Sequence, residues 1–250
     1  MVLFLLTNYI YMCRLFGYKT ENPSATTNDL VKALGEFRVL AKNGKSLRGV
    51  SKGHGDGWGI IAYKNGAPAL YYRSPKSIID DNNFELILKS IKNINPEIVI
   101  SHLRKLSRGG NDVLNTQPFL SGNVSLCHNG TINFPLKMTP GNISDSLSFF
   151  QMITETSSKN FSKIFKDNYT KISKRYSYSA MNMLFSDGKN INFIRNWNEK
   201  DPSAEKLCYQ DYYTLSLYEN KYAKFICSED LASLKKLVKK ECLNRKIYSI

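Results

Sequence analysis

Residues 12–18 of the chain read MCRLFGY, an apolar run that opens with a cysteine directly after a methionine. If the chain started at Met12 and lost that residue, Cys13 would stand at the N terminus. One residue would then hold a thiol and a free α-amine, and the amine can serve as the base for the thiol nucleophile. A cysteine near a start codon is common, so by itself the run predicts only the start of a strand.

The chain has 250 residues, of which 42% are hydrophobic, and this is enough for a large domain with a real core. No repeat, linker or low-complexity tract divides it, so we expect a single domain over residues 13–250. Residues 1–12 are apolar but lack a basic start and a small-residue cleavage site. We therefore expect a leader or a mis-called start there rather than a signal peptide.

No stretch reaches the ~20 apolar residues of a membrane span, and we expect no membrane partner.

The cysteines and the net charge bear on the cellular location and on whether the protein binds nucleic acid. The five cysteines include no C-x-x-C pair, and their odd number argues against a disulfide framework and for a reducing, cytoplasmic location. A net charge of +14 would suit a nucleic-acid-binding protein. However, the basic residues are scattered, with clustering only within residues 235–240. A solvated lysine-rich surface is the better interpretation, and we expect no nucleic-acid partner.

Hydrophobic spacing predicts the elements of the fold. Helices are expected over residues 27–41, 84–91, 144–153 and 160–174. Strands are expected at residues 13–18, 58–63, 69–73, 97–103, 123–128, 179–185, 192–195, 213–218 and 224–227. Asn65-Gly66 and Asp187-Gly188 are typical hairpin turns. Because hairpins dominate and regular β-α-β alternation is missing, the sequence predicts an α+β fold with helices on antiparallel sheets.

Five short stretches contain residues that can carry chemistry: GDGWG at 55–59, SHLR at 101–104, NTQPF at 115–119, CHNG at 127–130 and SDS at 144–146. Each also has a plain structural explanation. The glycines favour a tight turn before a core Trp58, and NTQPF and CHNG read as loop and hairpin turns. An arginine at a strand end is usually on the surface, and an acid in the first helical turn favours the positive helix end.

The same stretches also have a functional interpretation. Arg104 can offer a two-pronged fork to a carboxylate. The Asn129 amide and the backbone N–H of Gly130 can form an oxyanion hole. Asp145 can hold a substrate ammonium group. Strand alternation places His102 and Arg104 on one face, and it places Cys127 and His128 on opposite faces, which makes them a poor catalytic pair.

The histidines and cysteines do not predict a metal centre. His54, His102 and His128 lack the paired ligand spacing of zinc motifs, and so do the cysteines. We therefore expect neither a metal nor a cofactor.

Taken in order, MCRLFGY, GDGWGI, SHLR with a following serine, NTQPF, CHNGTI and SDS resemble the class II glutamine amidotransferases, in particular their stand-alone branch. AMNMLFSDG at 180–188 and FICSEDL at 225–231 extend the resemblance over most of the chain. The family resemblance implies the four-layer αββα sandwich of N-terminal-nucleophile hydrolases, with two antiparallel sheets between helical layers. The predicted element order is compatible with that fold.

The resemblance also implies a reaction. The Cys13 thiol would attack the side-chain amide of glutamine, with its own α-amine moving the proton to the leaving ammonia. Asn129 and the Gly130 N–H would stabilise the oxyanion. Water would then convert the thioester to glutamate. In the substrate pocket, Arg104 would bind the α-carboxylate, with the Ser107 hydroxyl nearby, and Asp145 would bind the α-ammonium.

The chain departs from the family pattern at three places. Ser107 and Arg108 stand where the acceptor-fused relatives have Thr and His, and Leu147 replaces an acid that often follows the SDS-type motif. While residues 1–12 are attached, the Cys13 nitrogen is acylated and cannot act as a base, so the chain as written would be an inactive precursor.

Two alternatives stay open at this point. One is an amidohydrolase that acts on a γ-glutamyl peptide or another amide in the same pocket. The other is a catalytically idle binding domain of this fold, although none of the pocket residues is lost. The expected partner is a small molecule, glutamine or a γ-glutamyl compound. Any biosynthetic use of the ammonia would need a separate acceptor enzyme.

Overall fold

The computed structural model describes residues 13–155 and 161–250. The predicted leader at residues 1–12 lies outside the described residues. In chain order the elements are β1 (Arg14–Thr20), α1 (Pro23–Asn43), β2 (Trp58–Lys64), β3 (Ala67–Ser74), α2 (Asn83–Ile94), β4 (Ile98–Leu103), β5 (Phe119–Ser121), β6 (Val124–Asn129), α3 (Asp145–Thr154), α4 (Phe161–Arg175), β7 (Asn182–Ser186), β8 (Ile191–Arg195), α5 (Tyr209–Tyr212), β9 (Ser216–Glu219), β10 (Ala223–Cys227), β11 (Val238–Glu241) and β12 (Lys246–Ser249). Two short 3-10 helices lie at Leu136–Met138 and Ala232–Leu234.

The strands form two antiparallel sheets that pack face to face. The first sheet has the order β11-β9-β10-β1-β4-β2-β3, and the second has the order β12-β8-β7-β6-β5. Side chains such as Leu15, Ile100 and Leu184 fill the space between the sheets. The outer face of the first sheet is covered by α1 and α2, and that of the second by α3 and α4. The predicted α+β sandwich of two antiparallel sheets with flanking helices is confirmed.

Strand β1 lies in the interior of the first sheet and follows strict alternation. Phe16 and Tyr18 pack under α1, whereas Leu15 faces the second sheet. Gly17 also faces the second sheet, and a Cβ there would lie 3.2 Å from Ile226 and 3.3 Å from Leu184. A glycine at this position therefore lets the two sheets approach closely above the middle of β1.

Local signals placed most of the element boundaries correctly. Asn65 and Gly66 form the two-residue turn of the β2–β3 hairpin, both with positive φ, as the sequence predicts. Helix α1 begins earlier than expected, at Pro23, because Asn22 caps it and proline is tolerated in the first turn. The strand predicted over 213–218 covers only Ser216–Glu219. The Tyr213 N–H bonds to the Tyr209 carbonyl and closes the short helix α5 instead.

Strand β11 was not predicted, because all four of its residues are exposed and it has no apolar alternation. It contains half of the basic cluster noted in the sequence and forms one edge of the first sheet. Lys239 and Lys240 pair there with Asp230 and Glu219. Within residues 13–155 and 161–250, no helix is long and apolar enough to cross a membrane.

One buried carboxylate anchors the β2–β3 hairpin to α2. The Asp81 side chain accepts hydrogen bonds from Trp58 Nε1 at 3.0 Å, Tyr72 Oη at 2.8 Å and the Asn83 N–H at 3.1 Å. Asp81→Ala leaves the buried indole N–H without this partner, and we expect it to lower the free energy of unfolding by about 2–3 kcal/mol. Urea denaturation followed by circular dichroism measures the change.

The exposed neighbour Asp80 provides the control for this prediction. Asp80→Ala should change the free energy of unfolding by less than about 0.5 kcal/mol. Equal stabilities of the two variants would show that the Asp81 carboxylate does not anchor the hairpin.

Candidate active site

The candidate residues meet at one edge of the sandwich, where β1 begins and β4 and β6 end. Cys13 directly precedes β1, Arg104 directly follows β4, and Asn129 is the last residue of β6. Because β1 and β4 are antiparallel, with Arg14 opposite Leu103, the start of one strand meets the end of the other. The second sheet brings β6 to the same edge.

Cys13 is buried, and both its thiol and its backbone nitrogen have protein partners. The thiol donates to the Lys105 carbonyl oxygen, with Sγ 3.7 Å away, and the backbone N–H donates to Asn129 Oδ1 at 3.0 Å. Burial raises the pKa of the Cys13 thiol to about 11. The thiol is therefore protonated near pH 7 and needs a base before it can act as a nucleophile.

Asn129 and Gly130 lie beside this cysteine. Asn129 is fully buried, and since its Oδ1 accepts the Cys13 N–H, its Nδ2 is free to face elsewhere. That Nδ2 has no hydrogen-bond partner within the described part of the chain. Gly130 has a φ of 142°, and a Cβ there would lie 2.0 Å from the Ala180 carbonyl oxygen. Only glycine can adopt this turn without a clash. The turn comes directly after Asn129, whose side-chain N–H₂ group is buried.

The His128 ring bonds to the neighbouring helix α3 and to Ala180, which lies shortly before β7. Its Nδ1 lies 2.8 Å from Ser146 Oγ and its Nε2 lies 3.1 Å from the Ala180 carbonyl. A carbonyl only accepts, so Nε2 carries the proton and Nδ1 accepts from the serine hydroxyl. Burial lowers the pKa of His128, which favours this neutral form. Cys127 packs between the sheets instead, which confirms that the two side chains lie on opposite faces.

Asp145 is the first residue of α3, and Ser144 is its N-cap, as predicted. The Ser144 hydroxyl accepts from the Leu147 N–H at 3.2 Å. Asp145 is only 2% exposed, and its Oδ2 accepts from the Ile132 N–H at 2.6 Å. The carboxylate is thus fixed at the positive end of the helix.

The NTQPF segment, which the sequence indicates as a plain turn, also bonds through two side chains to other parts of the site. Asn115 Oδ1 accepts from the Ser144 N–H at 2.7 Å, and Gln117 Oε1 accepts from the His128 N–H at 2.5 Å. The Gln117-Pro118 peptide bond is cis. These two amides join the loop to α3 and β6, which carry the candidate residues. Only the density of amide side chains in this short segment could have indicated the role.

Arg104 is buried and bonds to its own loop. Nη1 donates to the Gly110 carbonyl at 2.7 Å and Nη2 to the Arg108 carbonyl at 3.1 Å. Burial lowers the pKa of Arg104, but an arginine in a protein keeps its charge. Arg108 extends to Asn133 Oδ1 at 2.8 Å. The loop after β4 is therefore shaped by the guanidinium that was predicted to bind a substrate carboxylate.

The GDGWG stretch supports this loop from the other side. The Arg104 N–H bonds to the Gly57 carbonyl, and the Asp56 N–H bonds to the Arg104 carbonyl. Asp56 Oδ2 also accepts from the Leu106 N–H at 2.8 Å. Trp58 packs in the core under α2, as expected for the structural interpretation of the motif.

His102 is fully buried at the end of β4. Burial, with a smaller effect from the nearby Arg104 charge, lowers the pKa of His102 to about 3. Neither ring nitrogen has a hydrogen-bond partner among residues 13–155 and 161–250. The same residues contain no group of three or more His, Cys, Asp or Glu side chains placed to hold a metal ion.

A small cavity brings these side chains together. It is lined by Cys13, Arg104, Lys105, Ser107, Arg108, Asn115, Gln117, His128, Gly130, Ser144, Asp145 and Ser146. Five of the six predicted site residues line it, and the sixth, Asn129, bonds to Cys13. Cations from the loop after β4 and the carboxylate at the start of α3 both reach this cavity, so it suits a small molecule that carries both charges. The individual roles of the six residues stay predictions.

A family model described as class II glutamine amidotransferases matches residues 12–199, more than half of the chain. The chain belongs to the class II glutamine amidotransferases. No curated protein sequence matches it significantly.

Several solved structures have a similar fold. Glutamine phosphoribosylpyrophosphate amidotransferase from B. subtilis, complexed with ADP and GMP, aligns over 95% of this chain at 15% identity with a TM-score of 0.64. A structure titled as the allosteric regulatory enzyme of purine biosynthesis aligns over 93% at 16% identity and a TM-score of 0.60. This chain spans about half of these two proteins, 47% and 45% of their lengths.

A third structure is similar over its whole length. This glutamine aminotransferase class-II domain protein from Silicibacter pomeroyi has 13% identity and a TM-score of 0.58, with 95% of this chain and 94% of that protein aligned. At these identities the similarity establishes the fold of the class II domain.

The tight turn at Gly130 gives a stability prediction. Gly130→Ala forces a Cβ against the Ala180 carbonyl and strains the positive φ, and we expect it to lower the free energy of unfolding by about 3 kcal/mol or more. Thermal denaturation measures the effect. Gly35→Ala in α1 is the matched control, since a Cβ there meets nothing within 4 Å and should raise stability by up to about 1 kcal/mol. A Gly130→Ala variant with the same melting temperature as the wild type would contradict the predicted clash at this turn.

The raised thiol pKa predicts slow alkylation of Cys13. In folded protein whose Cys13 nitrogen lies in a peptide bond, thiolate should form only as the pH rises through about 11. Compared with a thiol of pKa 9.0, iodoacetamide should modify Cys13 roughly a hundredfold more slowly at pH 8. Peptide mass spectrometry measures the rate at each pH, and the same residue in urea-unfolded protein is the reference. An identical rate profile in both states would refute the effect of burial.

Proposed function

We propose that the chain is an amidohydrolase that converts glutamine to glutamate and ammonia, with Cys13 as the nucleophile. The observation that carries this proposal is the position of one residue. Cys13 lines the same cavity as Arg104 and Asp145, and its backbone nitrogen bonds to Asn129. The residues proposed as nucleophile, base and charged substrate contacts therefore lie around one small cavity.

The thiol requires a base, because burial raises its pKa to about 11. Once free, the α-amine of the same residue takes the thiol proton while sulfur attacks the amide carbon of the substrate. The C–S bond forms, the C–N bond breaks, and the proton leaves with nitrogen as ammonia. Water then attacks the thioester, the C–S bond breaks, and glutamate and the thiol are released. This mechanism requires that residues 1–12 be absent from the active protein.

The oxyanion of the tetrahedral intermediate is assigned to Asn129 and Gly130. The Asn129 Nδ2 group is buried, oriented by the bond to its Oδ1, and has no other partner among the described residues. Such a donor needs no reorganisation when charge develops on the substrate oxygen. Each donor of this kind contributes roughly 3 kcal/mol to transition-state stabilisation in comparable sites.

Substrate recognition is assigned to the two charged sides of the cavity. Arg104 uses one N–H of each of two nitrogens for loop carbonyls, and a guanidinium has five N–H donors, so others can bind the α-carboxylate. Ser107 and Arg108 line the same side and can add contacts to that carboxylate. Asp145 binds the α-ammonium. Residues 13–250 are proposed to work as a single cytoplasmic domain, with a separate acceptor enzyme for any biosynthetic use of the ammonia.

A second candidate is hydrolysis of a γ-glutamyl amide with a larger leaving group. A neighbouring cavity is lined by Ser46, Leu47, Val50, Ser51, Gly53, His54, Lys105 and Tyr212. It shares Lys105 with the first cavity, and its Tyr212 hydroxyl lies 3.5 Å from the Cys13 carbonyl. A substituent on the substrate nitrogen could extend from Cys13 toward this space.

Glutamate release tests the proposal. Protein whose intact mass shows Cys13 as the first residue should hydrolyse L-glutamine or a γ-glutamyl dipeptide, and Cys13→Ala should lower the rate about a thousandfold or more. Cys208→Ala, at a half-buried thiol outside the cavity, should retain the wild-type rate. A coupled glutamate assay compares the two substrates with L-asparagine.

Two outcomes would contradict the assignment. Equal activity in the Cys13→Ala variant would exclude Cys13 as the nucleophile. Turnover at an undiminished rate by protein that retains Met1 would exclude the α-amine as the base.

A further inference from the structure

A second buried asparagine lies beside Asn129. Asn182 is the first residue of β7, and its partner in the β6–β7 register is Asn129. Both residues are fully buried. Side chains of directly opposed residues on adjacent strands are close neighbours when they share a face of the sheet.

The two asparagines share the face that looks toward the first sheet. On β6, Leu126 packs under α3 and α4, whereas Cys127 lies between the sheets, so Asn129 also faces the first sheet. On β7, Met183 packs under the helices and Leu184 lies between the sheets, which gives Asn182 the same orientation. Cys13 approaches from that side.

Hydrogen bonds fix the orientation of both carboxamides. Asn129 Oδ1 accepts the Cys13 N–H at 3.0 Å, and Asn182 Oδ1 accepts the Asn196 N–H at 2.8 Å. Asn196 is itself held, because its Nδ2 donates to Tyr169 Oη at 2.7 Å. Each oxygen therefore has a backbone donor, and the amide nitrogen of each side chain points elsewhere.

The direction of the Asn182 amide nitrogen follows from the sheet order. Asn196 directly follows β8, which borders β7 on one side, and β6 borders it on the other. Since Oδ1 of Asn182 faces the β8 side, its Nδ2 faces the β6 side, where Asn129 lies. Neither Asn129 Nδ2 nor Asn182 Nδ2 has a hydrogen-bond partner within residues 13–155 and 161–250.

Two unpartnered amide donors on paired residues of adjacent, buried strands are an unusual arrangement. Buried N–H groups without an acceptor cost free energy, and native proteins rarely keep them without a reason. Preoriented donors next to a nucleophile are the arrangement that stabilises oxygen charge as it develops. Asn129 bonds to Cys13 and Asn182 is its partner across the strand pair, so a substrate oxygen next to Cys13 would give both donors an acceptor.

We propose that Asn182 is a further catalytic residue, which presents a second carboxamide donor to the same substrate oxygen that Asn129 contacts. This inference rests on the proposed function, since the oxygen is that of the amide under attack by Cys13. The oxyanion site then consists of two side-chain amides from neighbouring strands together with the Gly130 N–H.

The test compares kinetics of full-chain variants processed in the same way as the wild type. Asn182→Asp keeps an oxygen for the Asn196 N–H but loses the amide donor, and Asn182→Ala loses both. We expect kcat for glutamate release to fall 10- to 100-fold in each, with KM changed by less than about threefold. Asn192→Asp is the matched control, because Asn192 is a buried asparagine of the same sheet whose Nδ2 bonds to Ser162. It should retain the wild-type kcat.

A second measurement separates catalysis from structure. Alkylation of Cys13 by iodoacetamide is a displacement at a CH₂ group and forms no oxyanion, so its rate should stay within about twofold in the Asn182 variants. The variant Asn129→Ala combined with Asn182→Asp should lose less kcat than the product of the two single losses, since both donors act on one oxygen.

Each remaining outcome overturns the proposal. An unchanged kcat in Asn182→Asp and Asn182→Ala with an active wild type would refute the role of Asn182 alone. A parallel loss of alkylation and kcat would show that Asn182 only supports the position of Cys13. A wild type that releases no glutamate would refute the proposed function, and this inference with it.

Discussion

The hydrogen bond from the Cys13 N–H to Asn129 Oδ1 joins the two sheets at the edge where the site lies. Cys13 leads into the first sheet, and Asn129 ends a strand of the second. A contact of 3.0 Å between groups on different sheets requires that sheet separation and strand register both be correct. The tight packing above Gly17 sets that separation, and the β6–β7 register sets the position of Asn129. The position of Cys13 thus depends on the whole sandwich.

The charges of the cavity are held mainly by backbone groups. Arg104 is fixed by two loop carbonyls, and Asp145 by the Ile132 N–H at the start of a helix. Around them, amide and imidazole side chains bond to neighbouring backbone groups. Because these bonds leave little freedom, the side chains around the cavity are preorganised, and a ligand that binds there need not order them.

Local sequence predicted the elements and turns well, because period, capping and turn chemistry act over a few residues. The Asn65-Gly66 hairpin and the Ser144 cap are examples. What it could not predict is the set of bonds between distant segments, such as those of Gln117 to His128 and of Asn182 to Asn196. No periodicity encodes them. The order of the motifs that resemble the family predicted that Cys13, Arg104 and Asp145 belong to one site. The supporting contacts of the Asn115 and Gln117 amides could be recognised only from the structure.

The start of β1 bears on when the peptide bond before Cys13 can be cleaved relative to folding of the sheet. Within the described residues, the pairs of β1 with β4 start at Arg14, one residue after Cys13, and the nitrogen of Cys13 bonds to the side chain of Asn129. Cleavage of the peptide bond before Cys13 would therefore break no ladder hydrogen bond, and the released amine could still donate to the same oxygen. The proposed mechanism therefore lets the sandwich form before the α-amine that it requires is released.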